Sequence, residues 1–263
     1  MTTTGEPLVR KYSENGVTTL TLNQPERRNS LSMAMLEALS EELSLVADEA
    51  ETRVVVLASA GRVFCAGHDL REVREQFASH EFQLALFNQC SKVMQQIVNL
   101  PKPVIARVAG VATAAGCQLV ASCDLAIAAD TARFATPGVN IGLFCSTPMV
   151  ALSRNVSRKH AMEMLLTGEM ISAARAAEIG LVNRAVDEQV LDETVYGMAR
   201  TVADKSGHTL KIGKEAFYRQ LEMPLADAYE LTSKVMADNM QANDAQEGIC
   251  AFLDKRKPEW KDS

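Results

Sequence analysis

Residues 104–129 read VIARVAGVATAAGCQLVASCDLAIAA, and the fold class can be argued from this stretch. Val104–Val108 and Leu125–Ala129 are short apolar runs typical of buried strands, and the segment 114–122 between them has a helical pattern. The same alternation of strands and helices continues on both sides of this stretch, with a further buried strand predicted at 53–58. Such alternation is typical of parallel strands joined by helices. The sequence therefore predicts an α/β fold.

The rest of the chain separates into a β/α part and a helical part. Segments 8–13 and 17–22 alternate around Glu14-Asn15-Gly16, which predicts a hairpin, and Ser32 is placed to cap a helix that runs to about residue 50. Helical patterns follow at 81–99 and 146–153. From residue 158 onward helices dominate, interrupted by one strand-like piece at 181–186. We therefore expect a β/α core over residues 1–190 and a helical C-terminal region over 191–263, which could pack on another subunit.

Composition narrows the class of protein. The 263 residues are 47% hydrophobic and carry a formal net charge of −6, so one or two domains are expected, with no general affinity for nucleic acid or membrane surfaces. The six cysteines are scattered and form no C-x-x-C pair, which argues against zinc sites and disulfides. No apolar run is long enough to span a bilayer. The first sixteen residues lack the pattern of a targeting segment, so we predict a cytoplasmic protein.

Two bends of small residues carry the chemistry. Residues 64–69 read FCAGHD and residues 110–118 read GVATAAGCQ, and each bend follows an apolar, strand-like run. Small residues allow a ligand oxygen to approach backbone amides closely. Two such bends facing one pocket would form an oxyanion hole for a polarised carbonyl, such as that of a thioester. The alternatives are a tight packing turn or a phosphate loop, although the motif residues of a phosphate loop are missing.

Five segments together resemble the crotonase superfamily, which is the enoyl-CoA hydratase/isomerase family. They read NQPERRNSLS at 23–32, FCAGHDL at 64–70, GVATAAGCQLVASCDLAIA at 110–128, FATPGVNIG at 134–142 and FLDKRKPEW at 252–260. The resemblance implies a crotonase-like spiral of β-β-α turns with a helical C-terminal region. It also implies a homotrimer, or a hexamer built as a dimer of trimers, and a role in fatty-acyl-CoA metabolism.

The resemblance also assigns roles to individual residues. The backbone N–H groups of His68 and Ala115 would form the oxyanion hole, although the His68 imidazole remains an alternative acting group. Coenzyme A would enter as part of the substrate, with no tightly bound cofactor and no metal. The residues expected to contact the acyl-CoA are Ala66 and Leu70 along the ligand, Arg27 and Arg28 near its phosphates, and Lys255 with Phe252 reaching it from a neighbouring subunit.

The sequence departs from the family at both catalytic glutamates. Hydratases of the family use two glutamates to handle one water, and this chain has Gln118 and Gly138 at those positions. Glutamine exchanges no proton near neutral pH, and glycine has no side chain. General acid–base groups typically contribute about 10²–10⁴-fold each, so efficient hydration is not expected. The candidates for a replacement group are Cys145 and Ser146 at the acyl end of the pocket, and the acids Glu72, Glu75 and Glu81 on a lid-like segment.

Two functions of different class remain open. In the first, the protein is a lyase or isomerase on acyl-CoA thioesters whose chemistry depends mainly on stabilising an enolate, as in the decarboxylation of a malonyl-type thioester. In the second, it is a non-catalytic acyl-CoA-binding pseudoenzyme that keeps the groove for coenzyme A and has lost the groups that move protons.

Overall fold

The computed structural model describes residues 5–263 and confirms the α/β fold. Ten strands and eleven α-helices are found in this range. The strands are β1 (Val9–Glu14), β2 (Val17–Leu22), β3 (Val54–Ser59), β4 (Val63–Cys65), β5 (Val104–Val108), β6 (Val111–Thr113), β7 (Leu125–Ala129), β8 (Arg133–Ala135), β9 (Ile171–Ser172) and β10 (Arg184–Val186). The helices are α1 (Met33–Asp48), α2 (Leu70–Glu75), α3 (His80–Asn99), α4 (Ala115–Ser122), α5 (Pro148–Asn155), α6 (Arg158–Thr167), α7 (Ala173–Glu178), α8 (Leu191–Ala203), α9 (Gly207–Gln220), α10 (Leu225–Asn239) and α11 (Asn243–Leu253).

The strands form two sheets. The large sheet has the order β1-β2-β3-β5-β7-β10, in which the β1–β2 hairpin is antiparallel and the other neighbours are parallel. The small sheet has the order β4-β6-β8-β9, and its first three strands are parallel. The chain passes repeatedly from a long strand to a short strand and then to a helix, as in β5-β6-α4. This is the spiral of β-β-α turns expected from the resemblance.

The small sheet was not recognised as a sheet in the sequence. Its strands are two or three residues long, which is too short for alternation or an apolar run to stand out. The longer elements follow the predictions closely. Ser32 caps α1, since its hydroxyl accepts a hydrogen bond from the Met35 amide at 3.2 Å.

The large sheet is covered on both faces. Leu191, Val195 and Ala199 of α8 pack on one face together with Val54 and Ile105. The opposite face contributes to the main core, which includes buried residues of α1, α3 and α4. Thus α8, which lies beyond the predicted core boundary at residue 190, covers one face of the sheet.

The last three helices pack more loosely. Helix α9 buries no residue, α10 buries Ala228 and α11 buries Asp244 and Ala251. Exposed apolar side chains on these helices are Phe217, Leu225, Tyr229, Met236, Ile249, Phe252 and Leu253. No helix among residues 5–263 is both long and apolar enough to cross a membrane.

A partly buried ion pair attaches α9 to the core. The ammonium group of Lys214 lies 2.7 Å from Asp124 Oδ2 and also donates to the carbonyls of Ile97 and Lys102. Tyr218 donates its hydroxyl to the other oxygen of Asp124 at 2.9 Å. The carboxylate of Asp124 thus pairs within the structure and has a structural role.

Candidate active site

Three bends meet at one edge of the small sheet. Strands β4, β6 and β8 are parallel neighbours, so their carboxyl ends lie side by side. The chain leaves β4 through Ala66-Gly67-His68, leaves β6 through Ala114-Ala115 and leaves β8 through Thr136-Pro137-Gly138. The two bends singled out in the sequence are therefore adjacent, and a third lies beside them.

Glycines bring the first two bends into contact. Gly67 has φ +89°, and a Cβ placed on it would lie 3.0 Å from the Ala114 Cβ and 3.4 Å from the Ala115 nitrogen. A Cβ on Gly116 would lie only 2.1 Å from the Cys65 carbonyl oxygen. The Thr113 hydroxyl also donates to the Ala66 carbonyl at 3.1 Å. Side chains at either glycine would push the bends apart.

Several backbone amides at this junction have no protein acceptor. Ala66 donates to Arg28 and Ala114 donates to Ala135, whereas Gly116 and Cys117 in the first turn of α4 donate to no acceptor among residues 5–263. Within residues 5–263, the N–H groups of His68 and Ala115 donate to no protein acceptor. Ala115 is the first residue of α4, where amides have no partner inside the helix and the helix dipole favours negative charge.

Backbone strain accompanies the Ala115 amide. Ala114 has φ +50° and ψ −118°, a conformation that residues with a side chain rarely adopt. Strain of this kind costs about 1–3 kcal/mol and is concentrated at functional sites. The sequence showed the small residues of this bend but not its strained conformation.

The side chain of His68 points away from solvent. Its Nδ1 lies 3.2 Å from the Leu31 carbonyl oxygen, and its ring stands edge-on to Phe87 with the ring centroids 5.2 Å apart. Burial lowers the pKa of His68, while the hydrogen bond with Leu31 partly opposes this effect. Burial therefore favours the neutral form of the imidazole. Phe87 is a neighbour that the sequence analysis missed, because it lies on α3, outside every motif.

The first glutamate position is filled by a buried amide. Gln118 is on α4, and its Oε1 lies 4.0 Å from the Cys90 sulfur, the outer limit for a weak S–H hydrogen bond. It lies one helical turn after Ala115, so it shares the helix end that carries the free amide. No proton-exchanging group is present at this position.

The second glutamate position is closed by the backbone. A Cβ on Gly138 would lie 2.5 Å from the Leu143 carbonyl oxygen and 2.9 Å from the Cys145 sulfur. The Leu143 amide donates to the Gly138 carbonyl at 2.9 Å, so the segment 138–143 closes on itself. A glutamate could enter here only if this segment moved.

Cys145 lacks the properties of a nucleophile. Burial raises the pKa of its thiol, although the Gly138 amide opposes the rise, whereas a nucleophilic cysteine needs a lowered pKa. The expected helix begins at Pro148 rather than near Ser146, with Thr147 before it. The Ser146 side chain is exposed, and its hydroxyl lies 3.4 Å from the Phe144 carbonyl oxygen. A catalytic part for Cys145 or Ser146 stays a prediction, and the raised pKa of Cys145 does not favour a nucleophilic role.

Among the three acids of the lid-like segment, Glu72 forms a structural contact away from the bends. The carboxylate of Glu72 accepts a hydrogen bond from the Met33 amide at 3.1 Å, so it lies at the N-terminus of α1. Glu75 and Glu81 are exposed. Glu72 therefore stabilises a helix end in this structure, and its proposed part in catalysis finds no support.

The arginines near the bends differ in their contacts. Arg27 lies 3.3 Å from Asp69, whose carboxylate also caps α2 by accepting from the Arg71 amide. Arg28 is exposed with φ +56°. Burial opposes the ionisation of Asp69, but the amides of Arg71 and Glu72 together with Arg27 hold its pKa below the ordinary value.

The other predicted contact residues are divided between two places. Leu70 begins α2 and is 54% exposed, and Ala66 lies half-buried in the first bend. Phe252 is 82% exposed, and Lys255 is exposed just after α11, which packs against α9. Phe252 and Lys255 are therefore free of the core, and their contact with a neighbouring subunit stays a prediction.

Comparisons with known proteins agree on one family. The enoyl-CoA hydratase/isomerase family matches residues 12–263. The chain is 50% identical over 246 residues to the human mitochondrial enoyl-CoA hydratase domain-containing protein 3, covering 94% of this chain and 81% of that protein. It is 47% identical over 257 residues to the Xenopus laevis protein of the same name, covering 98% and 87%.

Solved structures show the same fold. A crystal structure of an enoyl-CoA hydratase from Mycobacterium smegmatis superposes with a TM-score of 0.95 at 53% identity, covering 97% of this chain and 99% of that one. The crystal structure of the human enoyl-CoA hydratase domain-containing protein 3 superposes with a TM-score of 0.94 at 49% identity, covering 96% of this chain and 100% of that one.

The comparisons correct one prediction and settle the family. Several relatives from vertebrates are named as mitochondrial proteins, which contradicts the cytoplasmic location predicted from the cysteines and the first residues. The thiol content could not distinguish two compartments that both keep cysteines reduced. The matches over nearly the whole chain, together with the fold, show that the protein belongs to the enoyl-CoA hydratase/isomerase family of the crotonase superfamily.

Proposed function

We propose that this protein binds acyl-CoA thioesters and holds their carbonyl oxygen between the backbone amides of His68 and Ala115. The observation that supports this is the contact between the two bends, where both amides are left without a protein acceptor. An oxygen held there would accept two hydrogen bonds at the N-terminus of α4. Such a site favours the negative charge that develops when the thioester becomes an enolate.

Two-glutamate hydration is not the proposed reaction. The amide of Gln118 cannot exchange a proton, and Gly138 offers neither a side chain nor space for one. An oxyanion-hole donor is typically worth about 10²–10³-fold in rate, so enolate stabilisation survives the loss of both acids. We expect hydration of crotonyl-CoA at a small fraction of the rate of a two-glutamate enzyme.

Decarboxylation of a malonyl-type thioester fits the remaining groups. The bond between the α-carbon and the carboxylate breaks, carbon dioxide leaves, and the electron pair moves into the enolate. The enolate oxygen is held by the His68 and Ala115 amides until the α-carbon takes a proton from solvent. None of these reaction steps needs a protein carboxylate, and the site has no carboxylate at either glutamate position.

A non-catalytic acyl-CoA-binding protein is the second candidate. It is favoured by the closed segment after Gly138, which leaves the acyl end of the site without room for an added acid. In this case the same amides would bind the thioester carbonyl without turnover. Binding and turnover must therefore be measured separately.

The remainder of the ligand and the assembly are also part of the proposal. Members of the family typically bind acyl-CoA and form oligomers. Arg27 and Arg28, close to the first bend in the fold, are proposed to meet the phosphates of coenzyme A. The exposed apolar side chains of α9–α11 support a trimer or a dimer of trimers, in which Phe252 and Lys255 would reach a neighbouring site.

The test uses acyl-CoA labelled with carbon-13 at the thioester carbonyl. On binding, the carbonyl resonance should move downfield, because two hydrogen bonds polarise the carbonyl. Mass spectrometry then follows crotonyl-CoA and malonyl-CoA for turnover. Loss of carbon dioxide from malonyl-CoA supports the enzyme, whereas a shifted carbonyl with no turnover supports the binder. Binding without a carbonyl shift would refute the oxyanion hole.

Gly67→Ala provides the variant for this test. The added Cβ would lie against Ala114 and push the bends apart, so the carbonyl shift should be reduced or lost. Gly180→Ala is the matched control, since Gly180 also has a positive φ of +85° but its Cβ would meet its nearest neighbour at an ordinary 3.5 Å. An equal loss of carbonyl shift in both variants would show that the effect is general strain.

A further inference from the structure

The His68 side chain carries a hydrogen-bonding atom with no use in the fold. Its Nδ1 lies 3.2 Å from the Leu31 carbonyl oxygen, and a carbonyl can only accept. Nδ1 must therefore carry the proton, and in the neutral ring Nε2 is left as a bare acceptor. The hydrogen bond to Leu31 thus fixes both the tautomer and the orientation of the ring.

The lone pair of Nε2 is buried without a partner. Among residues 5–263, no protein group donates to it, and the atom has no contact with solvent. Leaving a buried acceptor unsatisfied costs about 1–3 kcal/mol, so most buried acceptors in native proteins have a partner. His68 and Thr136 are the residues on the three bends with such an atom. The Thr136 hydroxyl can rotate toward a new partner, but the imidazole is held in place by Leu31.

The position of the ring points to the ligand. The backbone N–H of His68 is one of the free amides at this junction, so the imidazole is one side chain's length from the proposed carbonyl position. Phe87 stands edge-on against the ring and is itself 37% exposed. Because Nε2 is buried, a ligand reaches it only when a neighbouring side chain such as Phe87 moves. A donor a few bonds from the thioester carbonyl could then meet the lone pair.

We propose that the His68 imidazole determines acyl specificity by accepting a hydrogen bond from a hydroxyl on the acyl chain of the bound thioester. This inference rests on the proposed function, because it takes the thioester carbonyl to lie at the His68 amide. It identifies the favoured ligands as hydroxyacyl thioesters, in preference to saturated acyl thioesters of the same length. It assigns the imidazole a role separate from that of the His68 backbone.

The binding test compares 3-hydroxybutyryl-CoA with butyryl-CoA by calorimetry. One neutral hydrogen bond is worth about 0.5–1.5 kcal/mol, so the hydroxyacyl ligand should bind about 2- to 12-fold more tightly. Both ligands have the same chain length and the same coenzyme A, so the ratio isolates the hydroxyl. Equal affinities in the native protein would overturn the inference.

Two variants separate the two ring nitrogens. In His68→Asn, the side-chain amide can still donate to Leu31 but places no acceptor where Nε2 was, so the ratio should fall to about one. In His68→Gln, the longer side chain can place its carbonyl oxygen near the Nε2 position, so part of the preference should return. A ratio that is unchanged in His68→Asn would contradict the proposed role of Nε2.

Nitrogen-15 NMR on the native protein provides a test that needs no stable variant. Of the four histidines in the chain, His68 should show the Nδ1–H tautomer. Its Nε2 resonance should move on addition of 3-hydroxybutyryl-CoA and remain in place with butyryl-CoA. Protonation at Nε2 would overturn the inference. In another outcome, butyryl-CoA binds with a shifted carbonyl while 3-hydroxybutyryl-CoA changes neither the Nε2 resonance nor the affinity. That result would refute the inference about His68 and leave the proposed function standing. If neither thioester binds, the proposed function fails with it.

Discussion

The two sheets of this protein differ in what holds them together. In the large sheet, β3 has all six residues buried, and β5 buries four of its five. In the small sheet, strands of two or three residues end in bends whose glycines and alanines let backbones touch. The large sheet is thus stabilised by buried apolar side chains. The small sheet instead needs small residues at the ends of its strands, where backbones pack closely. Stability and the candidate site therefore respond to different kinds of substitution.

A cavity in the large sheet should have the largest effect on stability. Leu57 in β3 is 1% exposed, so Leu57→Ala should lower the free energy of unfolding by about 2–5 kcal/mol. Chemical denaturation followed by circular dichroism measures this loss. Leu45→Ala on α1 is the control, because Leu45 is 51% exposed and its truncation should cost little. Similar losses in the two variants would show that burial in this sheet does not determine stability.

Filling the space between α4 and the small sheet should cost less stability but damage the site. In Gly116→Ala the new methyl group meets the Cys65 carbonyl, and such overpacking typically costs about 1–3 kcal/mol. The carbonyl shift of a bound thioester should also be lost. Gly213→Ala, in the open interior of α9, should be neutral or stabilising. A stable Gly116→Ala variant with an intact carbonyl shift would break the contrast between the sheets.

Low pH should lower the stability of the first bend, because Asp69 becomes protonated. Its folded pKa lies below the ordinary value of 3.8, so its stabilising effect is complete above that value and is lost as pH falls through the folded pKa. Asp69→Asn should be about 1 kcal/mol less stable at neutral pH, through loss of the charged contact with Arg27. This difference should shrink below about pH 4.

Urea denaturation at a series of pH values measures the effect of Asp69. Asp227→Asn on α10 is the control, since Asp227 is exposed and its substitution should change stability by less than about 0.5 kcal/mol. A constant difference between the native protein and Asp69→Asn down to the lowest pH would contradict the prediction.

Relief of strain beside the Ala115 amide should have the smallest effect. Ala114→Gly removes strain of about 1–3 kcal/mol but adds about 0.5–1 kcal/mol of chain entropy, so a net gain of about 1 kcal/mol is expected. Thermal unfolding detects this gain. Ala121→Gly, inside α4, should instead lose about 1 kcal/mol or more, because it adds chain entropy and removes a buried methyl group without relieving strain. A loss in both variants would show that Ala114 is unstrained.

Much of this protein can be predicted from local sequence. The apolar runs of the large sheet, the cap at Ser32 and the long helices are set by neighbours within a few residues. The absence of both glutamates is likewise read directly at Gln118 and Gly138. The motifs that carry the family resemblance are continuous segments for the same reason.

Only the tertiary structure decided how distant segments meet. The contact of Gly67 with Ala114 and the pairing of His68 with Leu31 and Phe87 join residues on different elements. The environment of Cys145 belongs to the same group, since burial among distant residues raises its pKa. Patterns along a chain report what neighbouring residues favour, whereas close approaches between bends depend on how the whole spiral packs.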